Sequence, residues 1–317
     1  GGLVGSEMCI RDRTQAAPAT LGRSDGGEIR ERPRFAALRS LYRRKLALVG
    51  AIFVLIAFLA AIFAPVLTAY DPAEIDIINR LKAPGWSSPN GEYHLLGTDT
   101  LGRDVFARLV YGARVSLVVG LSAVLLAGTL GVFLGLLSGY FGGSLDDVIM
   151  RIGDIQLAFP FILLAISILA VLGPGVDKLI IVLGITGWVT YGRLARSQVI
   201  YLREMEFVDA ARAVGVRQAR IMGRHILPNL WGVIIVIASF SVASTILAEA
   251  SLSFLGLGVP PEIPTWGGML SENREYLEIA PWLVVFPGLA ISFTVLGINV
   301  LGDWVRDYLD PRMKNVV

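Results

Sequence analysis

The segment Val115–Leu145 reads VSLVVGLSAVLLAGTLGVFLGLLSGYFGGSL and carries no charged residue over 31 positions. A membrane helix needs about 20 apolar residues to cross about 30 Å of hydrocarbon, so this stretch is long enough to span a bilayer. Within it, Gly131, Gly135 and Gly139 recur every four residues. Small residues at this spacing let two membrane helices approach closely. The segment therefore predicts a membrane-spanning helix that packs tightly on a neighbour.

Five further stretches of the chain are uncharged between flanking charged residues. They are Leu46–Pro65, Ile155–Val176, Leu179–Gly192, Ile226–Ala248 and Ile279–Gly302. The whole sequence is 54% hydrophobic and 17% charged, whereas a soluble domain carries about 25% charged residues. We therefore predict an all-α, polytopic membrane protein with six candidate spans.

The stretch Leu179–Gly192 is short for a span. Its 14 residues would extend about 21 Å as a helix, so a re-entrant segment is the alternative. Eight Lys or Arg lie between Arg23 and Lys45, and seven Arg lie between Arg193 and Arg224. Cytoplasmic loops collect Lys and Arg, so both clusters belong inside, which needs an even number of crossings between them. The sequence thus predicts six membrane helices with both termini in the cytoplasm.

With this predicted topology, the chain divides into four parts. Residues 1–13 resemble translated sequencing-adapter sequence and are left out of the fold prediction; they hold Cys9, which is the one cysteine, so no disulfide can form within the chain. Residues 14–45 are polar and Arg-rich and are expected to form a cytoplasmic tail. Residues 46–114 are expected to form the first span and a periplasmic loop, and residues 115–317 a five-helix core with a long cytoplasmic loop at 193–228.

Several function classes are excluded or disfavoured by what the sequence lacks. No Gly-Lys dipeptide occurs, so there is no phosphate-binding Walker A loop, and energy from ATP would have to come from a separate ATPase. A zinc protease needs paired histidines, but the two histidines, His94 and His225, are far apart. Ion-coupled transporters usually bury ionisable residues in their spans, and the six predicted spans contain none.

The long loop holds the sequence Glu206-Phe-Val-Asp-Ala-Ala-Arg-Ala-Val-Gly215. Phe207, Ala210, Ala211 and Val214 recur at helical spacing and predict one helical face. Gly215 is expected to end this helix, a second short helix is expected from 216 towards 227, and Pro228 is expected in the first turn of the fifth span. On physical grounds alone, a basic amphipathic loop resting on anionic lipid headgroups is equally plausible.

The same loop resembles the EAA loop of binding-protein-dependent ABC importer permeases. The matching positions are Asp209-Ala210-Ala211, Gly215 and His225-Ile226-Leu227-Pro228. Asp209 stands where the family usually has Glu, and His225 where it usually has Ile. The resemblance implies that the loop couples the chain to a partner ATPase through Asp209, Ala210, Ala211, Arg212, Gly215, Leu227 and Pro228.

A second resemblance, from about Arg43 to the C-terminus, is to the C-type subunit of the oligopeptide, dipeptide and nickel permease family. It is carried by Leu96–Asp99, Gly102–Arg108, Leu252–Gly258 and Pro264–Gly267. The resemblance implies the type I ABC importer permease (MetI-like) fold in a bacterial inner membrane. It also implies a non-catalytic subunit without cofactor, since ATP is bound by partner subunits, and no nucleic-acid partner.

The resemblance further implies the partners and the cargo. The partners would be a second, B-type permease subunit, two ATP-binding subunits, a periplasmic substrate-binding protein and membrane lipid. The cargo would be dipeptides or oligopeptides, with nickel, glutathione and opine-like substrates as alternatives. An ion-coupled transporter or an intramembrane protease is the alternative hypothesis from a different functional class.

The predicted outer loop carries four charged residues that could pair at helical spacing, and three apolar residues on one face. The charged residues are Asp99, Arg103, Asp104 and Arg108, and the apolar ones are Leu101, Val105 and Leu109. This pattern predicts an interfacial helix that leads into the second span.

Polar residues on the last two spans are candidates for the translocation path. They are Ser241, Ser244 and Thr245 on the fifth span and Glu249 directly after it, which share one helical face with Ala248, and Ser292 and Asn299 on the sixth. Weak polar contacts would let a peptide enter and leave. Hydrogen bonding between helices is the alternative role for the same residues.

Overall fold

The computed structural model describes residues 41–42, 44–88 and 91–309, and over these ranges the chain is built from long helices. The expected adapter segment 1–13 and nearly all of the expected tail 14–45 lie outside the described residues. The helix that begins at Lys45 agrees with the predicted start of the first span.

Five helices of the described part are long and apolar enough to cross a membrane. They are α1 (Lys45–Leu67), α2 (Val105–Phe141), α5 (Val176–Arg203), α8 (Leu227–Phe254) and α10 (Trp282–Leu309). The remaining α-helices of the described residues are α3 (Gly143–Leu157), α4 (Phe161–Leu172), α6 (Glu206–Ala213), α7 (Gln218–Arg220) and α9 (Trp266–Asn273). A π-helical turn, Ile221–Ile226, joins α7 to α8. A two-stranded antiparallel hairpin, β1 (Trp86–Ser87) and β2 (Tyr93–His94), lies in the loop between α1 and α2, with Trp86 opposite His94.

The predicted third span, Ile155–Val176, differs from a simple helix. It begins inside α3 and is interrupted before α4, and the two helices are bent by 92°. The pair nevertheless follows α5 along its length: Asp146 of α3 is bound by Arg196, Gln156 by Trp188, and Leu169 of α4 packs near Leu179. The two helices therefore form one broken crossing, which brings the number of candidate spans among the described residues to six.

The fourth span is long enough because its helix does not stop at the flanking charges. Helix α5 has 28 residues and is therefore about 42 Å long. It continues past Lys178 at one end and past Arg193 at the other, and long basic side chains at span ends can reach the interface. The prediction that Leu179–Gly192 belongs to a spanning helix is confirmed.

Helices α2 and α5 pack in backbone contact along the predicted glycine row. A Cβ atom on Gly131 or on Gly135 would lie 2.3 Å from a carbonyl oxygen of α5, and one on Gly139 would lie 2.8 Å from another. Carbon and oxygen atoms cannot approach so closely. Glycine is thus required at these positions by the close helix contact, as the sequence pattern predicts.

The centre of the bundle is an apolar cluster to which five helices contribute. Ala57 comes from α1, Leu117 from α2, Ile246 from α8, Trp266 from α9 and Ile298 from α10. All are at least nine-tenths buried. Because α9 contributes Trp266, this short helix is part of the bundle and not a surface loop.

The prediction of an interfacial helix before the second span is wrong in part. Helix α2 begins only at Val105, and the side chain of Asp104 caps it by accepting a hydrogen bond from the N–H of Ala107 at 2.6 Å. Asp99 Oδ1 accepts from the N–H groups of Leu101 and Arg103, both at 2.9 Å. These side-chain bonds stabilise a turn where the pattern predicts helix.

Candidate functional site

Helix α6 and its following turn form the core of the predicted coupling loop. The N–H of Val216 donates to Ala211 O at 3.1 Å, and that of Gly215 donates to Arg212 O at 2.9 Å. Gly215 has φ +78°. These are the paired bonds and the left-handed residue of a Schellman helix end, so the prediction that Gly215 ends the helix is confirmed.

The buried face of α6 overlaps the predicted apolar face at Ala211 alone. Val208 and Ala211 are buried against the ends of α2, α5 and α8. Phe207 is 41% exposed and Val214 79% exposed, and Ala210 is exposed as well. The helical pattern correctly indicates a helix, but only tertiary contacts decide which apolar residues the bundle covers. An apolar surface of Phe207, Ala210 and Val214, here called the outer face of α6, is left open.

Asp209 and Arg212 of the predicted coupling loop pair with each other. Arg212 NH1 lies 3.1 Å from Asp209 Oδ1, and both side chains are about half exposed or more. The guanidinium of Arg212 also lies 5.9 Å from the ring centre of Tyr140 in α2. An exposed ion pair contributes little stability, so both groups remain available to a partner.

The chain returns from α6 into the membrane through α7 and the π-helical turn. Ile221 and Ile226 are fully buried at this turn, in the same cluster that receives α6. Leu227 packs on the edge of that cluster, and Pro228 lies in the first turn of α8, as predicted. The loop is therefore fixed to the ends of the spans at both of its ends.

The candidate path residues are only partly open. Ser244 and Ser292 are exposed, while Ser241, Thr245, Ala248 and Asn299 are half-buried. The hydroxyl of Ser244 donates to Ser241 O at 3.0 Å, and that of Ser292 donates to Gly288 O at 2.8 Å. These hydroxyls are satisfied within their own helices and can face either a path or a neighbouring helix.

Glu249 behaves differently from the other candidates. It is fully buried, and its carboxylate accepts hydrogen bonds from Ser116 of α2 at 3.0 Å and from Ser253 at 2.8 Å. Helix α8 continues past the uncharged run Ile226–Ala248 to Phe254, so Glu249 lies in the spanning helix one residue beyond that run. In this conformation Glu249 joins α2 to α8 and does not face open space.

A buried polar cluster at the Val105 end of α2 was not predicted as a whole. Asp99 Oδ2 accepts from Arg103 Nε at 2.7 Å and from Arg108 NH1 at 2.6 Å. Glu272 of α9 binds the same two arginines. The sequence pattern indicates the pairing around Asp99, but Glu272 is more than 160 positions away and no local signal connects it. Asp104, which was expected to pair with the arginines, instead binds His94 Nδ1 at 2.8 Å.

Two family models match the sequence. Residues 131–315 match the family model described as binding-protein-dependent transport system inner membrane component. Residues 35–84 match the N-terminal TM domain of oligopeptide transport permease C.

Curated relatives cover most of the chain. The dipeptide transport system permease protein DppC of Alkalihalophilus pseudofirmus is 49% identical over 88% of this chain and 90% of the relative. The oligopeptide transport system permease protein OppC of Bacillus subtilis is 41% identical over 85% and 87%, and the glutathione transport system permease protein GsiD of Pectobacterium atrosepticum is 41% identical over 87% and 90%.

Among solved structures, a chain of the MetNI methionine ABC transporter in an inward-facing conformation superimposes with a TM-score of 0.53. It is 17% identical, and the match covers 64% of this chain and 96% of that chain. At this identity the likeness concerns the fold alone.

Proposed function

The chain belongs to the family of binding-protein-dependent transport system inner membrane components, and on that premise we propose that it forms one half of the translocation pore of an ATP-driven importer. Its fold is the all-α, MetI-like permease fold. The observation that carries the proposal is the loop of α6: a short helix, fixed to the bundle on one side, leaves an apolar outer face free on the other.

Coupling would occur through the outer face of α6, which docks into a cleft of a partner ATPase. Val208 and Ala211 attach the helix to the ends of the spans, so a displacement of the helix would also displace the ends of the spans. Phe207 and Val214 supply exposed apolar surface, and Asp209 and Arg212 supply charges beside it. The left-handed turn at Gly215 positions the start of α7 relative to α6.

The partners follow from this role. The chain would pair with a second, B-type permease subunit, with two ATP-binding subunits on the cytoplasmic side, and with a periplasmic substrate-binding protein. Both termini and the α6 loop would face the cytoplasm. Outside residues 1–13, the topology then has 19 Lys and Arg inside (8 in the tail, Arg151, 7 in the long loop and 3 at the C-terminus) and 7 outside, which supports this orientation.

The cargo would be short peptides. Relatives named for dipeptides and oligopeptides are 49% and 41% identical to the chain. Glutathione is the second candidate, because a relative named for it is also 41% identical, and glutathione shares amide groups with peptides. The small polar side chains of Ser241, Ser244 and Thr245 on α8, with Ser292 and Asn299 on α10, would line part of the path.

The chain would be a non-catalytic subunit, with ATP bound by its partners. The test is reconstitution of the chain in liposomes with its second permease, its two ATPases and its binding protein. We expect dipeptide uptake that requires both ATP and the binding protein, and co-purification of all four membrane-associated chains. Uptake by the permeases without the ATPases would refute the proposal.

A further inference from the structure

The third span is interrupted between α3 and α4. Helix α3 ends at Leu157, α4 begins at Phe161, and the two are bent by 92°. Pro160 occupies the position before α4 and has no N–H group to continue the helical bonding. A proline also disfavours the helical conformation of the residue before it, here Phe159. The interruption is therefore encoded locally, and residues 157–163 are here called the break.

The break lies near the middle of the membrane-embedded part of the bundle. Gln156, just before it, donates through Nε2 to Thr186 O at 2.8 Å and accepts from Trp188 Nε1 at 2.9 Å. Along α5, Thr186 is about 12 Å from Lys178 and about 10 Å from Arg193. These two charged residues bound the uncharged stretch of α5. The two hydrogen bonds therefore hold the break at roughly half the depth of that stretch.

Several backbone groups of the break have no hydrogen-bond partner within the described ranges. The N–H groups of Phe161, Ile162 and Leu163 are the first of α4 and meet no acceptor there, and Pro160 supplies no side-chain cap. The carbonyls of 157–159 likewise meet no donor from the described part of the chain. All seven residues of the break are exposed in this chain.

Lipid cannot cover such a segment. Hydrocarbon offers no hydrogen bonds, and an unsatisfied backbone group in it is energetically costly. Non-helical backbone at this depth therefore occurs only where it is buried in protein or lines a water-filled cavity. Three free donors and three free acceptors lie together at the break. Water satisfies such a set readily, whereas another membrane helix has its own backbone groups already paired.

We propose that the break lines the water-filled translocation path, where its free backbone groups bond to water and to the amide groups of a passing peptide. The inference rests on the proposed function as an importer pore. It adds a third element to the path, besides the polar residues of α8 and α10. The side chains at this point are Phe159 and Phe161, which are 57% and 40% exposed, so an apolar surface accompanies the free backbone.

The test uses single cysteines in the reconstituted complex with Cys9 replaced by serine. The variants Phe159→Cys and Ala158→Cys are each treated with a small, positively charged methanethiosulfonate reagent, with and without ATP and vanadate. The control is Ile56→Cys, an exposed apolar position (58%) midway along the unbroken span α1. We expect modification at the break to be at least about tenfold faster than at Ile56 in one of the two states, because the reagent reacts only where water reaches.

Saturating dipeptide is expected to slow modification at the break and to leave Ile56→Cys unchanged. If the break reacts as slowly as Ile56→Cys in both states while the complex transports, a protein partner covers it and the inference is wrong. If the break reacts rapidly but no dipeptide is taken up by the wild-type complex, the water-filled lining stands, while the bonding to peptide amide groups and the proposed cargo fail. The Ala158→Cys variant, which changes the side chain least, keeps the test valid if Phe159→Cys does not assemble.

Discussion

Arg108 at the start of α2 and Glu272 in α9 form a bidentate ion pair, with NH1 to Oε2 at 2.9 Å and NH2 to Oε1 at 3.1 Å. The side chain of Arg108 is 1% exposed and that of Glu272 23% exposed. Together with the bond from Trp266 Nε1 to Leu109 O at 3.0 Å, the pair holds both ends of α9 against the second span.

Glu272→Gln is expected to destabilise the subunit by about 1.5–3 kcal/mol, because a buried charged hydrogen bond is lost. Asp99 still binds both Arg103 and Arg108, but a single carboxylate then faces two guanidinium groups. The measurement is thermal unfolding of the purified complex in detergent. Glu275→Gln, at an exposed position close by, serves as the control, and equal unfolding temperatures for the two variants would contradict a role for the pair.

Gly135→Ala is expected to push α2 away from α5. The added Cβ would lie 2.3 Å from the carbonyl oxygen of Gly192, and overpacking of this kind costs about 1–3 kcal/mol. Gly128→Ala is the matched control on the same helix, because its Cβ would meet Tyr191 at an ordinary 3.6 Å. Thermal unfolding should separate the two variants, and tolerance of both would argue against tight backbone contact.

Gly215→Trp is expected to leave the subunit inserted and assembled while ATP-driven uptake is lost. The position has open space around it, so a large side chain fits the isolated chain but obstructs a partner docked on the loop. Its φ of +78° costs a side chain about 1–2 kcal/mol. Gly215→Asn, which tolerates this conformation better, should retain more uptake. Normal uptake by the tryptophan variant would refute the docking of this loop.

Phe207→Ala and Val214→Ala are expected to reduce stimulation of the ATPase by the permease without lowering the unfolding temperature, because both side chains are exposed in this chain. Val208→Ala is expected to lower the unfolding temperature and to leave the stimulation of the ATPase unchanged. Its cost in unfolding free energy is roughly 1–2 kcal/mol, because a fully buried side chain loses methyl groups. ATPase assays and thermal unfolding on the same preparations distinguish the faces. Unaltered ATPase activity for both exposed variants would remove the outer face of α6 from the interface.

Ser241→Leu, Ser244→Leu and Thr245→Leu, alone and together, are expected to slow peptide uptake by narrowing the path and removing polar contacts. Thr129→Leu on α2, whose hydroxyl is also bonded to its own helix, is the control. Uptake is measured after assembly has been verified by size exclusion. Failure of assembly would favour contact between helices as the role of these residues, and unchanged uptake would remove them from the path.

The features that the sequence predicts well are those set by local chemistry. Uncharged runs reveal the spans, because a charged side chain in hydrocarbon is costly wherever it stands. The glycine row of α2 and the end of α6 at Gly215 are also local, since close approach and a positive φ each require glycine. Pro228 in the first turn of α8 follows from the same kind of rule.

The sequence by itself determined the class of protein, the spans except for the interruption of the third, and the position of the loop that carries α6. Only the tertiary structure decided that Val208, and not Phe207, packs on the bundle, that Glu249 is buried against Ser116, and that Arg108 meets Glu272. These relationships depend on which helices become neighbours. Packing over the whole bundle decides which helices are neighbours. It brings together residues more than a hundred positions apart, and no periodic pattern in the sequence indicates these contacts.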